Sequence, residues 1–204
     1  MHWQRLDREN TLKTIDSVKS AADAGLFSPA TSEVQKARLS FYDGVELYKL
    51  TNFASLPSFT FEYLGQNGLF QYLDGTEMPI YMVNDKGVLI LDDRTVLDYL
   101  QFFFAHVALD EDEVYFINDA RDMPLLDSLD EDSIQAITRN HKPPKVVYDA
   151  GYDRYSVEAD LYAEGLLMRA TVDVTASGRV SVQDRRMILN AVADSHGSGI
   201  MGWE

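Results

Sequence analysis

The most constraining stretch of this chain lies between residues 156 and 182, where apolar and polar side chains alternate across two turn signals. Val157, Ala159 and Leu161 alternate with Ser156, Glu158 and Asp160, and Met168, Ala170, Val172 and Val174 alternate with Arg169, Thr171 and Asp173. A two-residue turn at Glu164-Gly165 sets Asp160 opposite Arg169 and Leu161 opposite Met168, so that each set keeps to its own face. A one-residue slip would mix the faces, which is why such a pattern specifies register. For the next connection, a three-residue loop at Ala176-Ser177-Gly178 pairs Val174 with Val180 and Val172 with Val182. That loop class calls for glycine at its last, left-handed position, and Gly178 stands there. The sequence therefore predicts a three-stranded antiparallel meander.

Elsewhere the period changes along the chain. Glu9 to Ala24 carries apolar residues at three- and four-residue spacing and predicts a helix, with Gly25 as its stop. A short helix is expected near Ser32. From Leu39 the pattern turns to strands: Leu39–Tyr42 and Val45–Leu50 flank Asp43-Gly44, a pair suited to a tight hairpin. Phe59–Leu64, Leu69–Leu73, Ile80–Val83 and Val88–Leu91 follow as further strands, divided by Asn67-Gly68, Asp74-Gly75 and Lys86-Gly87. Asp92 or Asp93 caps a helix over 94–108 that is apolar nearly all the way round and is therefore expected to be buried. Val114–Ile117 reads as a strand. Ser128 and Glu131 form a capping box for a helix running to about Arg139.

The resulting fold class is α+β: mostly antiparallel sheet, in meanders and hairpins, packed on a buried central helix, with a helical N-terminus. Lys142-Pro143-Pro144 is the expected boundary. It separates an α+β region, 1–142, from the three-stranded meander, 143–190, in the same domain or as a small lobe. Residues 191–204, rich in glycine, read as a flexible tail.

Charge narrows the function classes. Eighteen Lys and Arg stand against 33 Asp and Glu, a formal charge of −15. Such a surface repels bare phosphate backbone and attracts basic proteins or divalent cations. The chain has no cysteine, which excludes a disulfide scaffold, a thiolate nucleophile and a thiolate zinc site. Its start lacks the basic-then-apolar signal-peptide pattern. The longest nearly apolar run, Leu100–Leu109, falls short of the roughly 20 residues that cross a bilayer. A cytoplasmic location is expected by elimination.

Motifs that could carry chemistry fail on context. Gly197-Ser-Gly-Ile-Met-Gly202 spells a dinucleotide fingerprint, but only Trp203 and Glu204 follow it, leaving no helix to hold a pyrophosphate. Asp194-Ser195-His196 are triad residue types set side by side, whereas a triad needs three side chains aligned by a scaffold. The acidic residues Asp110–Glu113, Asp119, Asp122, Asp127, Asp130 and Asp132 could face a hard cation, yet no glycine interrupts the stretch as a calcium loop requires. The four histidines, His2, His106, His141 and His196, show no zinc-hydrolase spacing. His106 is expected as a core or boundary residue able to pair with a carboxylate. Glu158, Asp160, Arg169 and Asp173, on one sheet face, are expected as cross-strand pairs in water, with a polar-ligand cleft as the alternative.

The stretches Ile80-Tyr-Met-Val-Asn84 and Asp93-Arg-Thr-Val-Leu-Asp-Tyr-Leu-Gln-Phe-Phe103 together resemble a segment of an uncharacterised bacterial protein family. That resemblance implies no activity. No catalytic residue, metal ligand or cofactor is assigned from the sequence. The expected function is a non-catalytic interaction or accessory protein. Its expected partner is another protein, possibly basic, or a second copy of the chain, and neither a nucleic acid nor a membrane. The alternatives are a cation-dependent hydrolase or small-ligand binder using acidic residues, and an acidic nucleic-acid mimic.

Overall fold

The computed structural model describes residues 1–18, 25–109, 113–124, 126, 129 and 131–190. Two compact units divide the chain, Met1–Leu91 and Asp92–Glu204. The fold class is α+β, with four α-helices and ten strands in two antiparallel sheets among the described residues.

The first unit pairs α1 (Arg8–Val18) with a sheet of β1 (Trp3–Arg5), β2 (Ser32–Arg38), β3 (Glu46–Asn52), β4 (Phe59–Gln66) and β5 (Leu69–Tyr72), in that order. Asp7 starts the helix by accepting the Asn10 N–H at 2.8 Å, satisfying an early donor. The hydrogen bonds from Asn10 hold the Asp7 carboxyl below its ordinary value. The helix buries Ile15 and Val18 against Phe27, Val34, Leu50 and Tyr63. The expected helix extends to Ala24, and residues 19–24 lie outside the described residues.

Four local expectations for this unit are corrected, one of them the strand Val88–Leu91, where Leu89 makes only an isolated bridge to Tyr42. Ser32 opens β2 and not a helix. Leu39–Tyr42 is a loop, because β2 meets β3 with Arg38 opposite Glu46. Leu39, Phe41, Tyr42 and Val45 are buried instead, so their apolar run anchors the loop in the core. The Tyr42 hydroxyl donates to Asn84 Oδ1 at 2.6 Å within it. Ile80–Val83 lies in α2 (Met78–Val83), where Pro79 sits in the first turn and Ile80, Tyr81 and Val83 are buried. Proline suits a first turn, which lacks intrahelical partners for its N–H groups. Gly87, at φ +72°, then reverses the chain. The hairpin at Asn67-Gly68 is as expected, with Gln66 opposite Leu69.

In the second unit, Asp92 Oδ1 accepts the N–H groups of Arg94 and Thr95 ahead of α3 (Thr95–His106). Its cap role matches the sequence reading, and those two bonds hold its carboxyl below the ordinary value. α3 buries Val96, Tyr99, Leu100 and Phe102–Phe104. Burial is not complete around the helix: Asp98, Gln101 and Ala105 are exposed. The sheet runs β10 (Val180–Asn190), β9 (Leu166–Thr175), β8 (Arg154–Ala163) and β6 (Tyr115–Ile117), and β7 (Lys145–Asp149) also pairs with β8. α4 (Glu131–Asn140) lies between β6 and β7 in sequence, and Ser128 of the proposed capping box is outside the described residues.

Register here follows the sequence reading in detail. Asp160 faces Arg169 and Leu161 faces Met168 across Glu164-Gly165. Val174 faces Val180 and Val172 faces Val182 across a loop in which Gly178 takes φ +76°. On the apolar face lies α3: Phe104 stacks on Phe116 at 6.0 Å, and Phe116 stands opposite Leu161. The Tyr99 hydroxyl donates to the Gly178 carbonyl at 2.6 Å, anchoring the helix at the far end of the meander. Against the other face lies α4, with Ile137 packed among Ile117, Met123, Tyr162 and Leu167. Residues on both sides of Lys142-Pro143-Pro144 belong to this one unit.

Candidate functional site

The polar face of the second sheet gathers more charge, and buries it more deeply, than its alternation suggests. Asp160 is fully buried, which corrects the expectation of water-exposed cross-strand pairs. α4 causes the difference by covering that end of the face. The two residues just past its C-terminus, His141 and Lys142, approach the carboxylate. Arg169 Nε donates to Asp160 Oδ1 at 2.9 Å, and the His141 ring nitrogen Nδ1 lies 3.0 Å from Oδ2. The Lys142 N–H donates to Oδ2 at 2.9 Å, while Arg169 Nη2 also reaches the Asn140 carbonyl at 3.1 Å. A buried carboxylate is tolerated when its lone pairs are met in this way. His141 shows no motif in the sequence, and only the return of α4 onto β8 reveals its part.

Farther along the same face, Asp173 is buried and accepts from Arg154 Nη1 at 2.8 Å. Arg154 also comes within 4.0 Å of Asp149 and lies 5.0 Å over the Tyr152 ring. Asp173 Oδ1 and Arg154 Nε have no hydrogen-bond partner among the described residues. Leaving a buried polar atom unmatched costs about 1–3 kcal/mol. Glu158 stays exposed, opposite Lys145 and Thr171.

Around that arginine the β7–β8 hairpin displays apolar and aromatic surface. Val147, Tyr148 and Tyr152 are 53%, 47% and 76% exposed. The Tyr148 and Tyr155 rings lie 5.0 Å apart, and the Tyr148 hydroxyl donates to Asp153 at 2.7 Å. That bond raises the Tyr148 hydroxyl above its ordinary value. Burial raises Tyr155, and the charges of Asp93, Asp92 and Asp153 push it the same way. Asp92, Asp93, Asp149 and Asp153 thus give this aromatic patch a negative field. Outside β8, β7 has no strand partner among the described residues.

The other candidates from the sequence stand apart from this region. His106 Nδ1 donates to the Phe102 carbonyl at 2.7 Å and its ring packs on Phe102. Asp119 caps a short turn and pairs with Arg121 at 2.6 Å; those bonds depress its carboxyl strongly. Glu113 accepts from the Tyr115 hydroxyl, and Asp132 sits in the first turn of α4. Asp110–Asp112, Asp127 and Asp130 are outside the described residues, as are Asp194–His196 and Gly197–Gly202. Among the described residues, no group of three or more His, Asp or Glu side chains could hold a metal ion. No helix among them is long and apolar enough to cross a membrane.

Comparison with known proteins adds no relative: no protein-family model, curated protein or solved structure matches the chain.

Proposed function

We propose that the protein is a non-catalytic interaction module whose second unit binds a basic, extended segment of another protein along β7. The observation that carries this reading is the β7–β8 hairpin: an edge strand flanked by exposed Val147, Tyr148 and Tyr152 and ringed by aspartates. An extended peptide can add to such an edge through main-chain hydrogen bonds, with side chains on alternate positions giving selectivity. Tyrosine and arginine are the residue types on which interface energy concentrates, because they present large, stiff, amphipathic surfaces. The local carboxylates, together with the net charge of −15, favour Lys- and Arg-containing segments and speed their encounter. The buried Asp160–Arg169–His141 cluster serves on this reading as a brace that ties α4 to the hairpin strands. The proposed place of action is the cytoplasm, in keeping with a chain that has no cysteine.

A library of short peptides of mixed charge, screened for binding to the intact protein, tests the reading. Lys- and Arg-rich members are expected to be enriched, with affinity that falls as salt is raised. Tyr148→Ala, at an exposed position, should abolish that enrichment without loss of folding. Enrichment of acidic or charge-free peptides, or binding unaffected by Tyr148→Ala, would overturn it.

A further inference from the structure

The two strands of the β8–β9 hairpin are longer than the helix laid over their apolar face. Ten residues of strand extend about 33 Å, whereas a helix of twelve residues extends about 18 Å. α3 reaches from Gly178, where Tyr99 bonds, to the row of Leu161, where Phe104 stacks on Phe116. Met168 stands in that row opposite Leu161, and past it the apolar face continues through Ala163 and Leu166, with no helix on it among the described residues. The chain leaving α3 supplies a side wall from Leu109 and Val114. Together they line a partly open cavity of about 190 Å³. A cavity of about 150 Å³ with apolar walls is enough to take up benzene.

Two charges stand at this cavity, and each is put there by a backbone irregularity. Glu164 lies on the tight turn between β8 and β9, at φ +49°. Arg185 lies in a bulge of β10: Gln183 faces Thr171 and Arg186 faces Arg169, so Asp184 and Arg185 share the single residue Ala170. Asp184 takes φ +50° to make that step. Bulges of this kind re-aim a side chain, and here the bulge sends Arg185 to the cavity wall beside Met168. Neither Arg185 nor Glu164 forms an ion pair with another described residue.

We propose that this cavity binds a free α-amino acid with an apolar side chain, of the size of leucine or phenylalanine. The side chain fills the space between Leu161, Leu166 and Met168, the carboxylate meets the Arg185 guanidinium, and the ammonium group meets Glu164. A zwitterion also fits the electrostatics of the whole molecule. It carries no net charge, so the overall −15 does not repel it as it would a simple carboxylate. The site is separate from the β7–β8 hairpin and does not depend on the reading of that surface.

Isothermal titration calorimetry on the intact protein, with leucine and phenylalanine at millimolar concentration, tests the proposal. 4-Methylpentanoate, which lacks the ammonium group, and 3-methylbutylamine, which lacks the carboxylate, serve as comparisons. Saturable heat is expected with the amino acids, and affinity about tenfold lower for each single-charge analogue. Arg185→Gln and Glu164→Gln, both at exposed positions, should each weaken amino-acid binding by about tenfold while leaving thermal unfolding unchanged. Ala163→Phe, which fills the cavity, should abolish it. Absence of heat for both amino acids, analogues that bind as tightly as they do, or full affinity in the Arg185→Gln and Glu164→Gln variants would each overturn the assignment.

Discussion

Replacement of Asp160 by alanine probes the brace beneath the proposed interface. The wild-type carboxylate is fully buried and meets Arg169, His141 and the Lys142 N–H. Without it, the Arg169 guanidinium, whose side chain is only 12% exposed, keeps the Asn140 carbonyl as its hydrogen-bond partner among the described residues. Removing one member of a buried ion pair typically costs about 3–5 kcal/mol, because the remaining charge stays desolvated and unmatched. Divided by about 1.4 kcal/mol per decade, that loss becomes an acceleration of hydrogen exchange by roughly two to three and a half orders of magnitude. The effect should appear at the most protected amides of β8 and β9, read by mass spectrometry under conditions where exchange follows the opening equilibrium. The double variant Asp160→Leu with Arg169→Met, which substitutes apolar bulk for both charges, should recover most of the protection. Exchange in Asp160→Ala indistinguishable from wild type would refute the reasoning, since the carboxylate would then carry no structural role.

Other outcomes follow from the geometry. A Cβ on Gly65 would come within 2.7 Å of the Phe70 and Tyr48 rings, so Gly65→Ala should destabilise the first unit by about 1–3 kcal/mol in denaturant unfolding. Unchanged stability would mean that the rings are free to move aside. Gly178→Ala forces a side chain into φ +76° and should cost about 1–2 kcal/mol, read as earlier exchange in β9 and β10. The phenols of Tyr48 and Tyr63 are pushed up to about 12 from an ordinary 10.0, in both cases chiefly by burial. Because the folded values are raised, their stabilisation is fully present below pH 10 and is lost as pH climbs through 12. Alkaline titration should therefore show late tyrosinates, Tyr48 and Tyr63 among them, and Tyr63→Phe should flatten the fall in stability over that interval. All tyrosines ionising together near pH 10 would contradict it.

How much was legible in the sequence varied with the range of the forces involved. The β8–β10 register could be read because strict alternation from Val157 to Val174 and the glycines at 165 and 178 constrain it locally. The Asp92 cap and the Asn67-Gly68 turn were legible for the same reason. The run Ile80–Val83 misled, since a short apolar stretch fits a buried helix turn as well as a strand. Pro79 was the signal that could have decided it. Leu39–Tyr42 misled because burial by a loop leaves the same apolar trace as burial in a strand. The residues of the polar face were visible, but their burial was not. It depends on α4 returning over Asp160 from twenty residues away in sequence, with Asn140 at 140 and Asp160 at 160. Likewise, no local pattern foretells that the strands outrun α3 and leave a cavity beside Arg185.

The claim on which the function rests is that β7 is a docking edge for basic segments. Backbone amide shifts of the labelled protein, followed as a Lys/Arg-rich peptide from the enriched set is added, address it directly. The account predicts saturable changes centred on Lys145–Asp149 and Tyr152–Tyr155, which shrink as salt rises and vanish in Tyr148→Ala. Changes centred on the first unit, or none at β7 when the peptide is bound, would contradict it.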